Sequence, residues 1–230
     1  MKKRLMALLL LTGLLSAALT GCGGGSTEQA SEDGQTADGS TEARAQANEI
    51  VVGIAQDLDE SLDPHLAVAA GTKEVMFNVF EGLVKPTPDG DLVPAVADHY
   101  EISEDQTTYT FTLREGACWS DGTPVKAEDF ITAWTRVISG AVDSPCRYLF
   151  DVILGARDYE NEESELGLEA TEDGKLVVTL EGDYSGFAHM LAAPAFWPIK
   201  EGEMAYNGRY ALADITENVA TLKPNTGYRG

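Results

Sequence analysis

Short apolar runs separated by turn residues dominate the chain after residue 48. Residues 49–54 form a continuous apolar run that is typical of a buried strand. Residues 107–114 alternate between apolar side chains and threonines, which predicts a strand buried on one face. The sequence Glu104-Asp105-Gln106 indicates a turn, so we expect an antiparallel partner strand at residues 99–103.

Two helices are predicted from apolar residues at helical spacing. The first covers residues 73–80, and the second covers residues 127–138. The second has Asp129 in its first turn, where the helix dipole favours a negative charge. Its buried stripe comprises Phe130, Ile131, Trp134, Val137 and Ile138.

The C-terminal third contains a strong hairpin signal. Asp173-Gly174 lies between two apolar segments, residues 168–171 and 175–180, and favours a tight turn. A short helix at 184–191 and an extended segment at 194–198 are expected to follow. This mixture of strand pairs and helices predicts an α/β or α+β domain.

The N-terminus has the features of an export signal. Three basic residues, 2–4, precede an uncharged, leucine-rich segment at 5–19. A helix of that length spans about 22 Å, less than the ~30 Å bilayer core, so residues 1–21 are predicted to be a signal peptide. The small residues before Cys22 resemble a bacterial lipobox, in which this cysteine receives a diacylglyceryl group and acyl chains such as palmitate. An ordinary signal with a chance cysteine is the alternative.

Residues 22–48 are predicted to be a disordered tether. After Cys22 this segment contains no aromatic residue, Leu, Ile or Val, so it cannot bury enough surface to offset its ordering entropy. Its reach is roughly 25–30 Å, enough to hold a receptor clear of the bilayer.

The chain is strongly acidic. Its formal net charge is −22, and removal of the three basic signal residues takes it to −25. Such a charge would be repelled by nucleic acid and by anionic lipid, so we expect no nucleic-acid partner. It indicates a solvated surface or, alternatively, a preference for cationic ligands. The remaining cysteines, Cys118 and Cys146, could pair or stay free.

No enzymatic or metal-binding motif is present. The sequence lacks Gly-x-Ser-x-Gly, His-Glu-x-x-His, Cys-x-x-Cys, a P-loop and Gly-x-Gly-x-x-Gly. The three histidines are far apart in sequence. We therefore predict that the protein is not an enzyme and holds no metal or cofactor.

An ordered series of motifs resembles one known family. The resemblance covers residues 49–200 and is to the extracellular solute-binding proteins of family 5, the oligopeptide, dipeptide and nickel receptors of ABC importers. The motifs are Ser61-Leu-Asp-Pro-His65, Val79-Phe-Glu-Gly-Leu-Val84, Leu92-Val-Pro-Ala-Val-Ala97, Tyr109-Thr-Phe-Thr-Leu-Arg-Glu-Gly116, Trp119-Ser-Asp-Gly-Thr-Pro-Val125 and Ala127-Glu-Asp-Phe130.

The resemblance implies an α/β, periplasmic-binding-protein-like (type II) fold with two lobes. Residues 49–79 and 192–230 would form the ligand-contacting part of the first lobe, with residues 80–191 inserted as a smaller α/β subdomain. The second lobe would follow residue 230, so the sequence is interpreted as an N-terminal fragment or a truncated gene product.

The resemblance also implies ligand-binding residues. Main-chain groups of Val68, Ala69 and Ala70 would take up an extended peptide as an added strand. A tyrosine that follows Ser-Pro in the oligopeptide receptors is replaced here by Cys146, and Tyr148 could substitute for it. The family commonly has a threonine N-cap where this chain has Lys126.

The predicted function is capture of extracellular oligopeptides for an ABC importer by hinged closure. The partners would be the peptide and the permease subunits, with the protein a monomer held at the cell membrane through its lipid anchor. One alternative is a receptor of the same fold for a dipeptide, a nickel complex or a signalling peptide. Others are a surface sensor or adhesin, and a secreted hydrolase whose nucleophile lies in a missing part of the chain. One lobe alone would bind at best with millimolar affinity.

Overall fold

The computed structural model of the protein describes residues 49–55, 57–159, 165–200, 202 and 204–229. The predicted signal peptide 1–21, Cys22 and the rest of the tether to residue 48 lie outside the described residues. Within the described ranges, no helix has the length and apolar character needed to cross a bilayer.

The first strand pairs with the end of the chain. Strand β1 (Ile50–Gly53) lies antiparallel to β9 (Val219–Pro224), which in turn pairs with β8 (Tyr210–Ile215). The sheet order is β1-β9-β8. The predicted strand at 49–54 is thus confirmed, and Ala220 and Leu222 of the central strand are completely buried.

A second sheet is built from hairpins. Strands β4 (Ala97–Ile102), β5 (Thr108–Leu113), β6 (Leu168–Ala170) and β7 (Leu176–Thr179) are antiparallel in the order β4-β5-β7-β6. This order confirms the predicted β4–β5 pair and the hairpin at Asp173-Gly174. Gly174 has a φ of 80°, which the turn requires and which glycine adopts without steric cost. A separate small hairpin joins β2 (Val84–Pro86) and β3 (Leu92–Pro94).

The two predicted helices are confirmed with small changes. Helix α1 covers Ala70–Val79 and so begins three residues before the predicted start. Helix α2 covers Ala127–Ile138, as predicted, and its Phe130, Trp134 and Val137 side chains are completely buried.

The N-terminus of α2 has only half of a capping box. The Asp129 carboxylate accepts a hydrogen bond from the Lys126 main-chain N–H at 2.9 Å, but a lysine side chain has no acceptor to offer in return. The Thr123 hydroxyl does not compensate, because it donates to Asp121 at 2.7 Å and accepts from Lys200 Nζ at 3.1 Å.

Replacing Lys126 with threonine should therefore stabilise the protein by about 1 kcal/mol, since the new hydroxyl can accept a helix N–H. The midpoint and free energy of urea unfolding would measure this gain. Lys126→Ala is the matched control, because it removes the same charge without adding an acceptor. Equal stability of the two variants would contradict the capping explanation.

An aromatic cluster joins the helices to the second sheet. Trp134 packs edge-to-face on Phe196, with ring centroids 5.5 Å apart, and Phe150 lies 4.5 Å from Phe196. Phe187 packs between Phe196 and Tyr109 of β5. The cluster draws on segments that are up to 87 residues apart in sequence, from Tyr109 to Phe196.

Two C-terminal segments differ from their predictions. Helix α3 is shorter than expected and covers Phe187–Met190. The extended segment predicted at 194–198 is wrong, because Pro194–Phe196 form a 3-10 helix. Proline is favoured at the first position of a helical turn, and the turn buries the Phe196 side chain completely. A further 3-10 helix covers Arg147–Val152.

The division of the lobe into two parts stays a prediction. The strands of the three-stranded sheet come from residues 49–79 and 192–230, whereas all four strands of the second sheet come from residues 80–191. The same aromatic core contains side chains from both ranges, including Phe196 and Trp134.

Candidate functional site

A buried loop precedes helix α1 and contains the Asp63-Pro64-His65 sequence. The N–H groups of Leu66 and Ala67 both donate to the Asp63 carbonyl, at 3.1 and 3.0 Å. The N–H of His65 donates to the Asp63 carboxylate at 2.9 Å. These bonds form a tight turn whose C-terminal end leads directly into residues 68–70.

Helix α2 anchors this turn through an ion pair. Arg136 Nη2 lies 2.7 Å from Asp63 Oδ2, and the two side chains are 27% and 15% exposed. Burial alone raises the pKa of the Asp63 carboxyl, but the hydrogen bonds from Arg136 and the His65 N–H outweigh burial and hold the pKa below its ordinary 3.8. The carboxyl is therefore ionised at neutral pH.

His65 is the buried centre of the anchor. Its Nε2 lies 3.2 Å from the Trp197 carbonyl, and its Nδ1 lies 3.2 Å from Arg136 Nη1. A carbonyl only accepts and a guanidinium only donates, so the imidazole is neutral with its proton on Nε2. Burial lowers the pKa of His65 from 6.5 to about 4, although the Asp63 charge opposes this shift.

This lowered pKa predicts a loss of stability in mild acid. Between pH 6.5 and pH 4 the unfolded chain binds a proton at residue 65 that the folded chain does not, so the free energy of unfolding decreases as the pH falls. The contribution is complete above pH 6.5. We expect His65 to account for a loss of about 2 kcal/mol between pH 7 and pH 5.

Urea unfolding of the wild type and His65→Asn at both pH values would measure that contribution. The pH-dependent loss should be about 2 kcal/mol smaller in the variant. His99→Asn serves as the control, because that side chain is 56% exposed. If His65→Asn and wild type lose the same stability over this range, the buried neutral imidazole is not responsible.

Ser144 joins two of the predicted ligand-binding segments. Its buried hydroxyl donates to the His65 carbonyl at 2.6 Å and accepts the Cys146 N–H at 3.2 Å. The structure therefore brings the segment after Asp63-Pro64-His65 next to the segment that contains Cys146. The side chain of Tyr148, two residues further on, is 67% exposed.

Residues 68–70 are held in place by Asp59. The N–H groups of Val68 and Ala69 both donate to Asp59 Oδ2 at 2.9 Å, and the Asp59 N–H donates to the buried Thr72 hydroxyl at 2.7 Å. Ala70 is the first residue of helix α1. Within the described part of the chain, the Ala70 N–H and the Val68 carbonyl make no hydrogen bond.

The five predicted ligand residues, which we call the candidate surface, lie on these two neighbouring segments. Val68, Ala70 and Tyr148 are exposed, and Ala69 and Cys146 are half-buried. A cavity of about 930 Å³ borders Asp63 and Arg136 but none of Val68, Ala69, Ala70, Cys146 or Tyr148.

Trp119 lies in the core and not in a binding pocket. Trp119 is 1% exposed and its indole N–H donates to Asp129, so it belongs to the core. Cys118 and Cys146 are both free, and Cys118 donates to the Gly227 carbonyl. Among the described residues, no group of three His, Cys, Asp or Glu side chains could hold a metal ion.

Several residues that build the site were not predicted from the sequence. Asp59 and Arg136 belong to none of the motifs, although Arg136 is the only cation on helix α2. Ser144 begins the Ser-Pro pair before Cys146, but its hydrogen bonds were not predicted. Asn207 was also missed. Its side-chain oxygen accepts a hydrogen bond from the Glu81 N–H at 3.0 Å, and its side-chain NH₂ donates to the Glu81 carbonyl at 2.7 Å.

Solved structures with the same fold show the class of protein to which the chain belongs. Solved structures that match this chain have the periplasmic-binding-protein-like (type II) fold. The peptide-bound oligopeptide-binding protein OppA of Listeria monocytogenes matches with a TM-score of 0.69 and 31% identity, over 75% of this chain and 38% of its own. That coverage is consistent with a single lobe.

The family follows from the sequence. Residues 91–230 match the bacterial extracellular solute-binding proteins, family 5 (middle region), and the chain belongs to this family. The murein peptide-binding protein MppA of Escherichia coli is 32% identical over 80% of this chain, and the probable deoxycholate-binding protein YgiS of the same organism is 33% identical over 74%. The chain spans 37% and 35% of the lengths of these two relatives.

Proposed function

We propose that the protein is the substrate-binding component of an ABC importer and captures extracellular oligopeptides. The observation that carries the proposal is the likeness, in both sequence and fold, to a family-5 protein solved with a bound peptide. The protein would bind its ligand without changing it chemically.

In this proposal residues 68–70 grip the main chain of an extended guest. Asp59 uses the N–H groups of Val68 and Ala69, which leaves the Val68 carbonyl and the Ala70 N–H to pair with peptide groups. Main-chain pairing gives affinity without reading side chains, so many sequences can bind. Cys146 and Tyr148 would contact the guest beside this segment, and a second lobe would close over it.

The N-terminal part of the proposal concerns location. Lipidation of Cys22 after removal of residues 1–21 would anchor the protein outside the cell membrane, since two acyl chains suffice for stable attachment. The tether 22–48 would let a monomeric receptor reach its permease subunits.

The test uses the chain at its full natural length. Calorimetric titration with a mixed library of di- to pentapeptides should show saturable binding, and small-angle scattering should show a more compact particle with ligand. Deoxycholate is the second titrant, because a relative is named for it. Binding of deoxycholate without binding of any peptide would replace the peptide proposal.

Replacing Ala70 with proline should weaken peptide binding about tenfold while preserving the fold. Proline is tolerated at the first position of a helix, and Ala69 already has the extended φ and ψ of −67° and 140° that a following proline requires. The change removes one main-chain donor, and a lost hydrogen bond of ~1.4 kcal/mol corresponds to tenfold in Kd.

Ala70→Ser is the matched control, because it alters the side chain at the same position and keeps the N–H. Calorimetry on both variants separates the loss of the main-chain N–H from the change of side chain, and thermal unfolding verifies that both variants fold. Unchanged peptide affinity in Ala70→Pro would show that this donor does not take part in binding.

A further inference from the structure

A small cavity separate from residues 68–70 is lined by aromatic rings. The cavity has a volume of about 290 Å³, at the lower end of the range for small-molecule sites. We call it the Tyr228 cavity. The rings of Phe77, Trp197, Tyr210 and Tyr228 line it, and the Phe77 side chain is 59% exposed on helix α1. An exposed phenylalanine beside a tryptophan, with centroids 5.2 Å apart, offers a face for another ring.

The Tyr228 cavity is also cationic, although the chain as a whole carries −22. Glu81 is the only acid among its lining residues, whereas Lys85 and Arg209 both line it. Glu81 is already shared, since its carboxylate accepts from Lys85 Nζ at 2.8 Å and from the Tyr228 hydroxyl at 3.0 Å. Arg114, which lies over the Tyr228 ring, donates to the other oxygen of the Glu81 carboxylate at 3.4 Å.

Among the described residues, Arg209 has no counter-charge. The Arg209 guanidinium lies over the Tyr228 ring, 5.9 Å from its centroid, and in the described part of the chain it forms no ion pair or side-chain hydrogen bond. The Nε of Arg114 is buried and likewise lacks an acceptor among the described residues. A guanidinium over a ring face keeps the N–H groups in its own plane available for a planar carboxylate.

From this combination we propose that the Tyr228 cavity is a binding site for an aromatic carboxylate, with its ring among Phe77, Trp197 and Tyr210 and its carboxylate on Arg209. The ligand would be either a free aromatic acid or the aromatic C-terminal residue of a peptide. The site does not depend on the proposed function, because none of the residues at 68–70 or 146–148 lines it.

Calorimetry with N-acetyl-L-phenylalanine and its primary amide tests the proposal on the chain at its full natural length. The acid should bind at least about tenfold more tightly than the amide, because a charged carboxylate hydrogen bond is lost in the amide. N-acetyl-L-alanine should bind more weakly than the phenylalanine acid. Arg209→Gln should abolish the preference for the acid, whereas Arg157→Gln, at another exposed arginine, should retain it.

A second arm distinguishes the two ligand sources. Preference for Ala-Ala-Phe over its C-terminal amide, lost in Arg209→Gln, would identify a peptide C-terminus, and binding of N-acetyl-L-phenylalanine alone would identify a free acid. Equal affinity for acid and amide, absence of saturable binding, or an unchanged preference in Arg209→Gln would overturn the site.

Discussion

Trp134→Ala is expected to lower the free energy of unfolding by about 3–5 kcal/mol, the largest effect of any substitution proposed for this chain. The indole is completely buried and packs against Phe130, Phe150 and Phe196. Its N–H donates to the Phe196 carbonyl at 3.0 Å. The variant would lose the transfer free energy of a large ring, leave a cavity and leave a buried carbonyl without a donor.

Trp134→Phe separates the hydrogen bond from the ring. It keeps most of the packing but removes the N–H, so we expect a loss of about 1–3 kcal/mol. Urea unfolding followed by far-UV circular dichroism gives both free energies. A loss below 1 kcal/mol in Trp134→Ala would show that the aromatic cluster is not the centre of the core. If Trp134→Ala does not fold, Trp134→Phe still tests the contact.

Arg136→Met is expected to destabilise the protein by about 2–3 kcal/mol. The substitution removes the Arg136 donor from Asp63 Oδ2 and from His65 Nδ1, although Asp63 Oδ1 still accepts from the His65 N–H. Breaking a buried ion pair costs roughly 3–5 kcal/mol, and the partial exposure of both side chains lowers this figure. Because Asp63 holds the turn before residues 68–70, peptide affinity of the full-length protein should fall as well.

The contribution of the same ion pair to stability depends on pH. The pKa of Asp63 is lowered in the folded state, so its stabilising contribution is present above the unfolded value of 3.8 and disappears as the pH falls further. The difference between wild type and Arg136→Met should therefore shrink in acid. A double-mutant cycle with Asp63→Asn should give an interaction energy of about 1–3 kcal/mol.

Arg157→Met is the control for loss of an exposed arginine, and it should change stability by less than about 0.5 kcal/mol. If Arg136→Met and Arg157→Met have the same small effect, the ion pair does not anchor the turn.

Local signals predicted most of the secondary structure. Alternation at β5, the Asp-Gly turn between β6 and β7 and the apolar stripe of α2 depend on neighbours within a few residues, so the chain itself specifies them. The prediction of an extended segment at 194–198 failed because its conformation depends on distant partners. Its 3-10 turn places Phe196 against Trp134 and Phe150, and these partners are distant in sequence.

The sequence predicted which segments carry the candidate surface, but not how these segments contact one another. The motif series marked the regions around His65 and Ser144, but nothing in it indicated that the Ser144 hydroxyl joins the His65 carbonyl to the Cys146 N–H. Nor did it indicate that Asp59 occupies two of the N–H groups expected to bind a ligand.

Residue order and spacing within single elements were enough to predict the family, the β4–β5 and β6–β7 hairpins, helix α2 and the segments on which ligand residues were expected. The neutral state of His65, the pairing of β1 with β9 and the cationic character of the Tyr228 cavity became evident only in the folded chain. These features arise where segments distant in the sequence meet in the folded chain, and there burial and the identity of the partner set charge and hydrogen bonding.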